Sequence, residues 1–242
     1  MKIIGVIPAR YESSRFEGKP LAKICGKPMI WWTYQQIKKV KDFDEVYVAT
    51  DNEKIESVCK ENDINVIMTS NKHSMMLERI HEVSRKVDAD LYVSMAGDEP
   101  LIEPETIKKL IEEYKKSHSD VVNLRTKIIN PIDALNWTTM KVVTDANGYA
   151  LYASRSPIPY PKASIKYDYY KHMGTYALTK KALNFFATHE KGNIEKIEDF
   201  DLLRFLEYGM KVKIVDVFSE TISVDTPKDL QRVENIIKER NK

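Results

Sequence analysis

Cysteine is nearly absent: Cys25 and Cys59 are the only two in 242 residues. They share no metal-ligand spacing and offer no disulfide framework, which fits a chain kept in a reducing compartment, the cytoplasm. Glycine is also sparse, at 8 residues. Neither the Walker spacing nor the dinucleotide-binding spacing occurs, so P-loop chemistry is not expected. No charge sign dominates. Lys plus Arg number 38 against 36 Asp plus Glu, a net charge of +2, without the basic excess of a nucleic-acid binder or an acidic tail. Any phosphate site must therefore be local. Long apolar runs are missing as well: the start Met1-Lys2-Ile3-Ile4-Gly5-Val6-Ile7 breaks at Pro8, too short for a signal peptide or a membrane span. What is present is enough apolar residue, 43%, to fill the core of one α/β domain.

Short β-rich runs alternate with stretches of helical period. Ile3 to Ile7 precedes a helix near Met29 to Lys39, Glu45 to Ala49 precedes Asn52 to Glu61, Asn65 to Met68 precedes Leu77 to Lys86, and Leu91 to Ser94 precedes a helix led by Pro104. Such alternation predicts a mainly parallel sheet flanked by helices. From about Asp120 the texture changes. Val121 to Thr126, Thr139 to Thr144, an Asn147-Gly148 turn and Tyr149 to Ala153 read as short strands with a β-hairpin. A Pro-rich loop at Ser156 to Pro161 and a tyrosine-dense stretch at Tyr167 to Tyr170 follow, open to reading as a lid, a dimer contact or both. The last third returns to α/β texture, with helices at Lys180 to Ala187 and Ile197 to Tyr208, a strand at Lys213 to Val217 and a terminal helix after Pro227. We expect a single domain over 1–242, divided into 1–120, a hairpin region at 121–180 and a return to the core at 181–242.

The first segment with chemistry in it is Pro8-Ala9-Arg10-Tyr11-Glu12-Ser13-Ser14-Arg15-Phe16-Glu17-Gly18-Lys19-Pro20. It directly follows the first strand, where ligands of doubly wound sheets bind. Arg10, Arg15 and Lys19 beside exposed backbone N–H groups supply what a triphosphate needs. A loop with three basic residues is more often a solvated surface loop, and its place after the first strand is what favours phosphate. The second segment, Leu91 to Pro100, ends a buried-looking strand in Gly97, Asp98 and Glu99. Magnesium is held by one or two carboxylates together with substrate phosphates, and Asp98 is placed for that, or else is a turn residue before a helix. Asp225 reads either as the cap of the last helix or as a second carboxylate paired with Asp98. In the later region Arg155 and His172 suit the grip of an acceptor carboxylate, although a lone His is more often structural. Glu198 and Asp201, at i and i+3, would share a helical face.

Taken in order, these segments resemble the CMP-Kdo synthetases, the 3-deoxy-manno-octulosonate cytidylyltransferases, over nearly the whole chain. The marks are Ile7 to Tyr11, Gly18 to Leu21, Gly26 to Ile30, Val48 to Asp51, Gly97 to Pro100, Tyr152 to Pro159, His172 to Tyr176 and Val224 to Pro227. The resemblance implies a Rossmann-like nucleotidyltransferase whose residues 1–120 bind the nucleotide and whose 121–180 region carries acceptor contacts and a homodimer contact. It implies CTP as donor, an acidic sugar as acceptor and Mg2+ as cofactor held by Asp98 and Asp225. It puts Arg10, Arg15 and Lys19 on the triphosphate, with Pro8, Ala9, His73, Ser74, Met75 and Gly97 also around the nucleotide. Arg79, Arg155, His172, Tyr176, Glu198 and Asp201 would then contact the acceptor.

The sequence also departs from that family. Met75-Met76-Leu77 stands where a Ser-Gly-Thr core is expected, Met95-Ala96 where a Gln usually precedes Gly97, Leu202 replaces a Gln, and Asp201 shortens a Glu. A polar recognition loop has become apolar while the charged residues remain. A site built on hydrogen bonds discriminates through them, so the acceptor is expected to be Kdo or a closely related 3-deoxy-ulosonic acid, or, as a second reading, a different acidic acceptor such as a modified ulosonate, another nonulosonate or a phosphonate. A non-catalytic nucleotide-binding protein is the third alternative.

Overall fold

The computed structural model describes residues 1–12, 16–164, 166–219 and 221–240. The chain forms two compact units, one made of 1–108 with 219–242 and the other of 109–218. The sequence suggests divisions near 120 and 180. The C-terminal segment 219–242 belongs to the first unit, where Val224, Val233 and Ile237 share an apolar cluster with Ile24, Met29 and Leu101.

In the first unit, strands β1 (Ile3–Ala9), β4 (Glu45–Thr50), β5 (Val66–Met68) and β6 (Leu91–Ser94) make a parallel sheet in the order β6-β1-β4-β5. A parallel strand covered on both faces must be apolar throughout. In β1 that demand is met by Ile3, Ile4, Val6 and Ile7, all at most 2% exposed. Two-residue strands β2 (Lys23–Ile24) and β3 (Lys27–Pro28) pair beside it. Helices α1 (Met29–Lys38), α2 (Glu53–Glu61) and α3 (Met76–Lys86) pack on the sheet. Helix α1 follows Pro28, an extended residue compatible with a helix start. Asn52 caps α2 by accepting from the Lys54 N–H at 2.9 Å. Helix α4 (Pro104–Ser117) spans the division between the units, and α8 (Pro227–Arg240) closes the first one.

The second unit pairs β7 (Val121–Lys127) in parallel with β11 (Val212–Val217) and antiparallel with β10 (Tyr170–Leu178). The hairpin read from the sequence is present as β8 (Lys141–Thr144) and β9 (Ala150–Ser154), turning through Gly148 at φ 78°. The helices here are α5 (Lys180–Thr188), α6 (Asn193–Glu198) and α7 (Leu202–Glu207). One sequence expectation is corrected. The single helix Ile197 to Tyr208 is two, because Asp199 sits in the left-handed region at φ 49° and ends α6, its N–H closing on the Glu195 carbonyl at 2.8 Å. Glu198 and Asp201 therefore do not share the face of one helix. Strand β10 was not anticipated beyond its motif residues.

Among the described residues, no helix is long and apolar enough to cross a membrane.

Candidate active site

The first unit carries a cavity of about 830 Å³ where the chain leaves β1 and β6, a size suited to a small-molecule ligand. Pro8, Ala9 and Arg10 line it from the end of β1. The loop after them turns back on itself, the Gly18 N–H donating to the Tyr11 carbonyl at 2.8 Å. Gly18 has φ 65°, and a Cβ there would lie 3.3 Å from the Tyr11 ring, so the tight closure needs glycine. A short 3-10 turn, Lys19–Leu21, then lifts Lys19 into the cavity.

Lys19 Nζ donates to Asp98 Oδ2 at 2.6 Å and to Asp225 Oδ1 at 3.4 Å. Three further contacts bring those carboxylates together. Gly97 passes so close to β1 that a Cβ would meet the Pro8 carbonyl at 3.1 Å, and Thr33 Oγ1 donates to the Gly97 carbonyl. The Val224 N–H donates to the Asp98 carbonyl at 2.9 Å, which sets Asp225 beside the end of β6. The capping alternative for Asp225 falls to other residues: Asp229 Oδ2 accepts from the N–H groups of Asp225 and Thr226, and the Asp229 N–H donates to Thr226 Oγ1. Of the other triphosphate candidates, Arg10 reaches the Ser74 carbonyl at 3.5 Å, and Arg15 lies outside the described residues.

Met75, Met76 and Arg79 supply another wall. Met76 opens α3 and accepts from Ser94 Oγ through its sulfur at 3.3 Å. Arg79 is 1% exposed, with Nη2 on Asp51 at 2.7 Å and Nη1 on Thr69 Oγ1. Much of its hydrogen-bonding capacity is thus spent inside the protein. His73 and Ser74 are not part of the lining. His73 Nε2 bonds Glu82 at 2.6 Å; burial would raise the Glu82 pKa, but hydrogen bonds from Lys86, the Ser70 N–H and His73 bring it down to about 2. Ala96, noted above only as a departure from the family pattern, also lines the cavity, as do Glu12, Glu17, Pro20 and Met29, which were given no role there. The two glutamates lie within the basic motif itself, where attention to cations passes over them.

The remaining acceptor candidates belong to the second unit, in two groups. Glu198 accepts from Ser154 Oγ at 2.6 Å, the Arg155 N–H at 2.9 Å and Tyr152 at 3.2 Å. Burial opposes its ionisation, yet these donors hold its pKa below the usual carboxylate value. Arg155 gives Nε to the Glu198 carbonyl, Nη1 to the Trp137 carbonyl and Nη2 to the Asp199 carbonyl, so that among the described residues two of its five N–H groups have no hydrogen-bond partner. Lys141, fully buried, adds donors to the carbonyls of Asn136, Thr139 and Arg155. In the second group His172 Nε2 bonds Tyr176 at 3.0 Å, and Tyr176 donates to Asp201 Oδ1 at 3.1 Å. Burial pushes the imidazole down to about 3 and the Asp201 carboxyl up to about 6.

The cytidylyltransferase family model matches residues 4–214. The chain belongs to the cytidylyltransferase family. It is 41% identical to the 3-deoxy-manno-octulosonate cytidylyltransferase of Fusobacterium nucleatum subsp. nucleatum, over 100% of this chain and 99% of that one. It is 38% identical to an 8-amino-3,8-dideoxy-manno-octulosonate cytidylyltransferase of Shewanella baltica, over 97% and 98%. Among solved structures it superposes with a TM-score of 0.95, at 37% identity and covering 99% and 100% of the two chains, on CMP:2-keto-3-deoxy-manno-octonic acid synthetase complexed with CTP. The chain is thus an α/β nucleotidyltransferase with a Rossmann-like fold, as the alternating sequence pattern implied.

Proposed function

We propose that this protein transfers CMP from CTP to the anomeric hydroxyl of Kdo or a close 3-deoxy-ulosonic acid, releasing pyrophosphate. The observation that carries the reading is Lys19 held between Asp98 and Asp225 in a nucleotide-sized cavity at the strand ends. Three charges so arranged suit a polyphosphate and a divalent cation at once. When the triphosphate enters, its oxygens compete for the Lys19 ammonium, and the two carboxylates are released. Asp98 and Asp225, with phosphate oxygens, are the donor set Mg2+ prefers; when bound, Mg2+ offsets charge developing on the phosphates. Arg10 and Lys19 do the same from the protein side. The acceptor oxygen bonds to the α-phosphorus, the bond to the bridging oxygen breaks, pyrophosphate departs and the hydroxyl proton is released. Arg155, His172 and Tyr176 are read as contacts to the acid and hydroxyl groups of the acceptor.

Kdo and its 8-amino analogue are the acceptors to test first, since relatives with both names match this chain at 41% and 38% identity. Pyrophosphate release from CTP and Mg2+, compared with each acid in turn, decides between them; no release with either acid would sink the proposal. Asp98→Asn and Asp225→Asn should each cut turnover at least a hundredfold with the fold retained. We further propose a cytoplasmic homodimer formed through the hairpin region, where Ile129, Ile132, Leu135 and Trp137 are each 69–73% exposed. Sedimentation of the protein and of Trp137→Glu tests it, with a monomeric wild type as the refuting result.

A further inference from the structure

Asn123 lies fully buried in β7 between Val122 and Leu124, which are equally buried. An amide at such a position costs free energy unless it is hydrogen-bonded. Its Nδ2 donates to two backbone carbonyls of β10, Met173 at 2.9 Å and Thr175 at 2.8 Å. Both partners can only accept, which fixes the amide orientation, and Oδ1 has no hydrogen-bond partner among the described residues. The two carbonyls belong to a break in register. Met173 opposes Leu124 but Tyr176 opposes Asn123, so Gly174 and Thr175 bulge out of the ladder.

In an unbroken strand, residues 172 and 176 would share a face about 13 Å apart. The two-residue excursion preserves the shared face and shortens the span. The ring centroids lie 5.4 Å apart and His172 Nε2 is 3.0 Å from the Tyr176 oxygen. Tyr176 has a single hydroxyl proton and gives it to Asp201, so its oxygen must accept from His172 Nε2–H. His172 is thereby held in one neutral tautomer, with Nδ1 as its accepting nitrogen.

We propose that Asn123 is a positioning residue for the acceptor half of the reaction: by holding the carbonyls of Met173 and Thr175 it maintains the bulge that sets His172 against Tyr176 and so fixes the His172 tautomer. The catalytic consequence rests on the reading of His172 and Tyr176 as acceptor contacts. The tautomer does not.

The test uses wild type, Asn123→Val, Asn123→Ala and Tyr176→Phe. Asn123→Val removes both donors while placing an apolar β-former at a buried strand position. Nitrogen-15 NMR of labelled histidine reads the His172 tautomer, calorimetry reads CTP affinity, and steady-state kinetics reads kcat and KM for Kdo. In wild type we expect His172 as the Nε2–H form. In the Asn123 variants we expect mixed tautomers, CTP affinity within twofold of wild type and kcat/KM for the acceptor reduced ten- to a hundredfold. Nδ1–H in wild type at neutral pH overturns the proposal without any variant, as does a folded Asn123 variant with the wild-type tautomer. Wild-type turnover by Tyr176→Phe would instead remove this cluster from the acceptor site, while the tautomer result still decides the role of Asn123.

Discussion

Replacing Lys19 by Met should move metal binding and turnover in opposite directions. Lys19 Nζ is 2.6 Å from Asp98 and 3.4 Å from Asp225, and the Lys19 side chain is only 15% exposed. A hydrogen bond to a charged group contributes about 1.5–3 kcal/mol. The carboxylates are 28% and 37% exposed, so solvent screening brings the net loss to about 1–2 kcal/mol. In the nucleotide-free protein this ammonium competes with any cation for the same two oxygens. Its removal at nearly constant shape should therefore raise divalent-cation affinity about 5- to 30-fold, taking about 1.4 kcal/mol per tenfold. Turnover goes the other way, because a fixed donor to developing phosphate charge is worth roughly a hundred- to a thousandfold in kcat. Titration of nucleotide-free wild type and Lys19→Met with Mn2+, followed by electron paramagnetic resonance, gives the first quantity, and pyrophosphate release gives the second. Unchanged or weaker Mn2+ binding in the variant, or turnover within threefold of wild type, would refute the arrangement argued for these three residues.

Asp201→Asn should steepen the loss of stability on acidification. The Asp201 carboxyl, raised to about 6 by burial, adds stability that is fully present below its unfolded value and is lost as pH rises through 6; His172, depressed to about 3, adds stability present above its unfolded value and lost as pH falls toward 3. Their slopes oppose each other between about pH 4 and 6, so removing the Asp201 proton leaves the His172 slope uncompensated, up to roughly 1.4 kcal/mol per pH unit. Urea unfolding at pH 4.5 and 7 checks this, and an identical difference in both proteins would be the contrary result. Met76→Ala should raise KM for CTP about tenfold, since truncating a side chain in contact with a ligand removes about 1–2 kcal/mol of burial, with KM for the acceptor unchanged. A shift confined to the acceptor KM would move Met76 to the other subsite.

Much of the nucleotide cavity was legible because its charges sit where strands end. The alternation of Ile3 to Ile7 with a helical period located β1, and Arg10 and Lys19 follow it directly. Asp98 was legible on the same ground. Asp225 stayed ambiguous, because a Val-Asp-Thr-Pro segment caps a helix as readily as it lines a site; only the coordinates show Thr226 and Asp229 taking the capping role. What sequence could not show is backbone that departs from period. The stretch from Ile197 to Tyr208 keeps helical spacing, yet one left-handed residue, Asp199, divides it. The bulge at Gly174 and Thr175 likewise leaves the strand's alternation intact while changing what its side chains meet. Buried cations were equally hidden. Lys141 drew no expectation and Arg79 was expected on the acceptor, yet they are 0% and 1% exposed, Lys141 on backbone carbonyls and Arg79 on Asp51 and Thr69.

The departures from the family pattern separate once their surroundings are known. Leu77, Met95 and Leu202 are fully buried, so those exchanges belong to packing, where apolar bulk is favourable. Met75, Met76 and Ala96 line the cavity and can act on a ligand directly. Arg10, Lys19, Asp98 and Asp225, which match the family marks, line the same cavity. That combination bears on selection rather than on chemistry: nucleotidyl transfer depends on charge around the phosphates, whereas a wall that trades hydrogen-bonding groups for thioether and methyl surface loses the means to reject a ligand for a missing or added polar group. We therefore expect the substitutions to change tolerance at the wall formed by Met75 and Met76 while leaving the transferase chemistry in place.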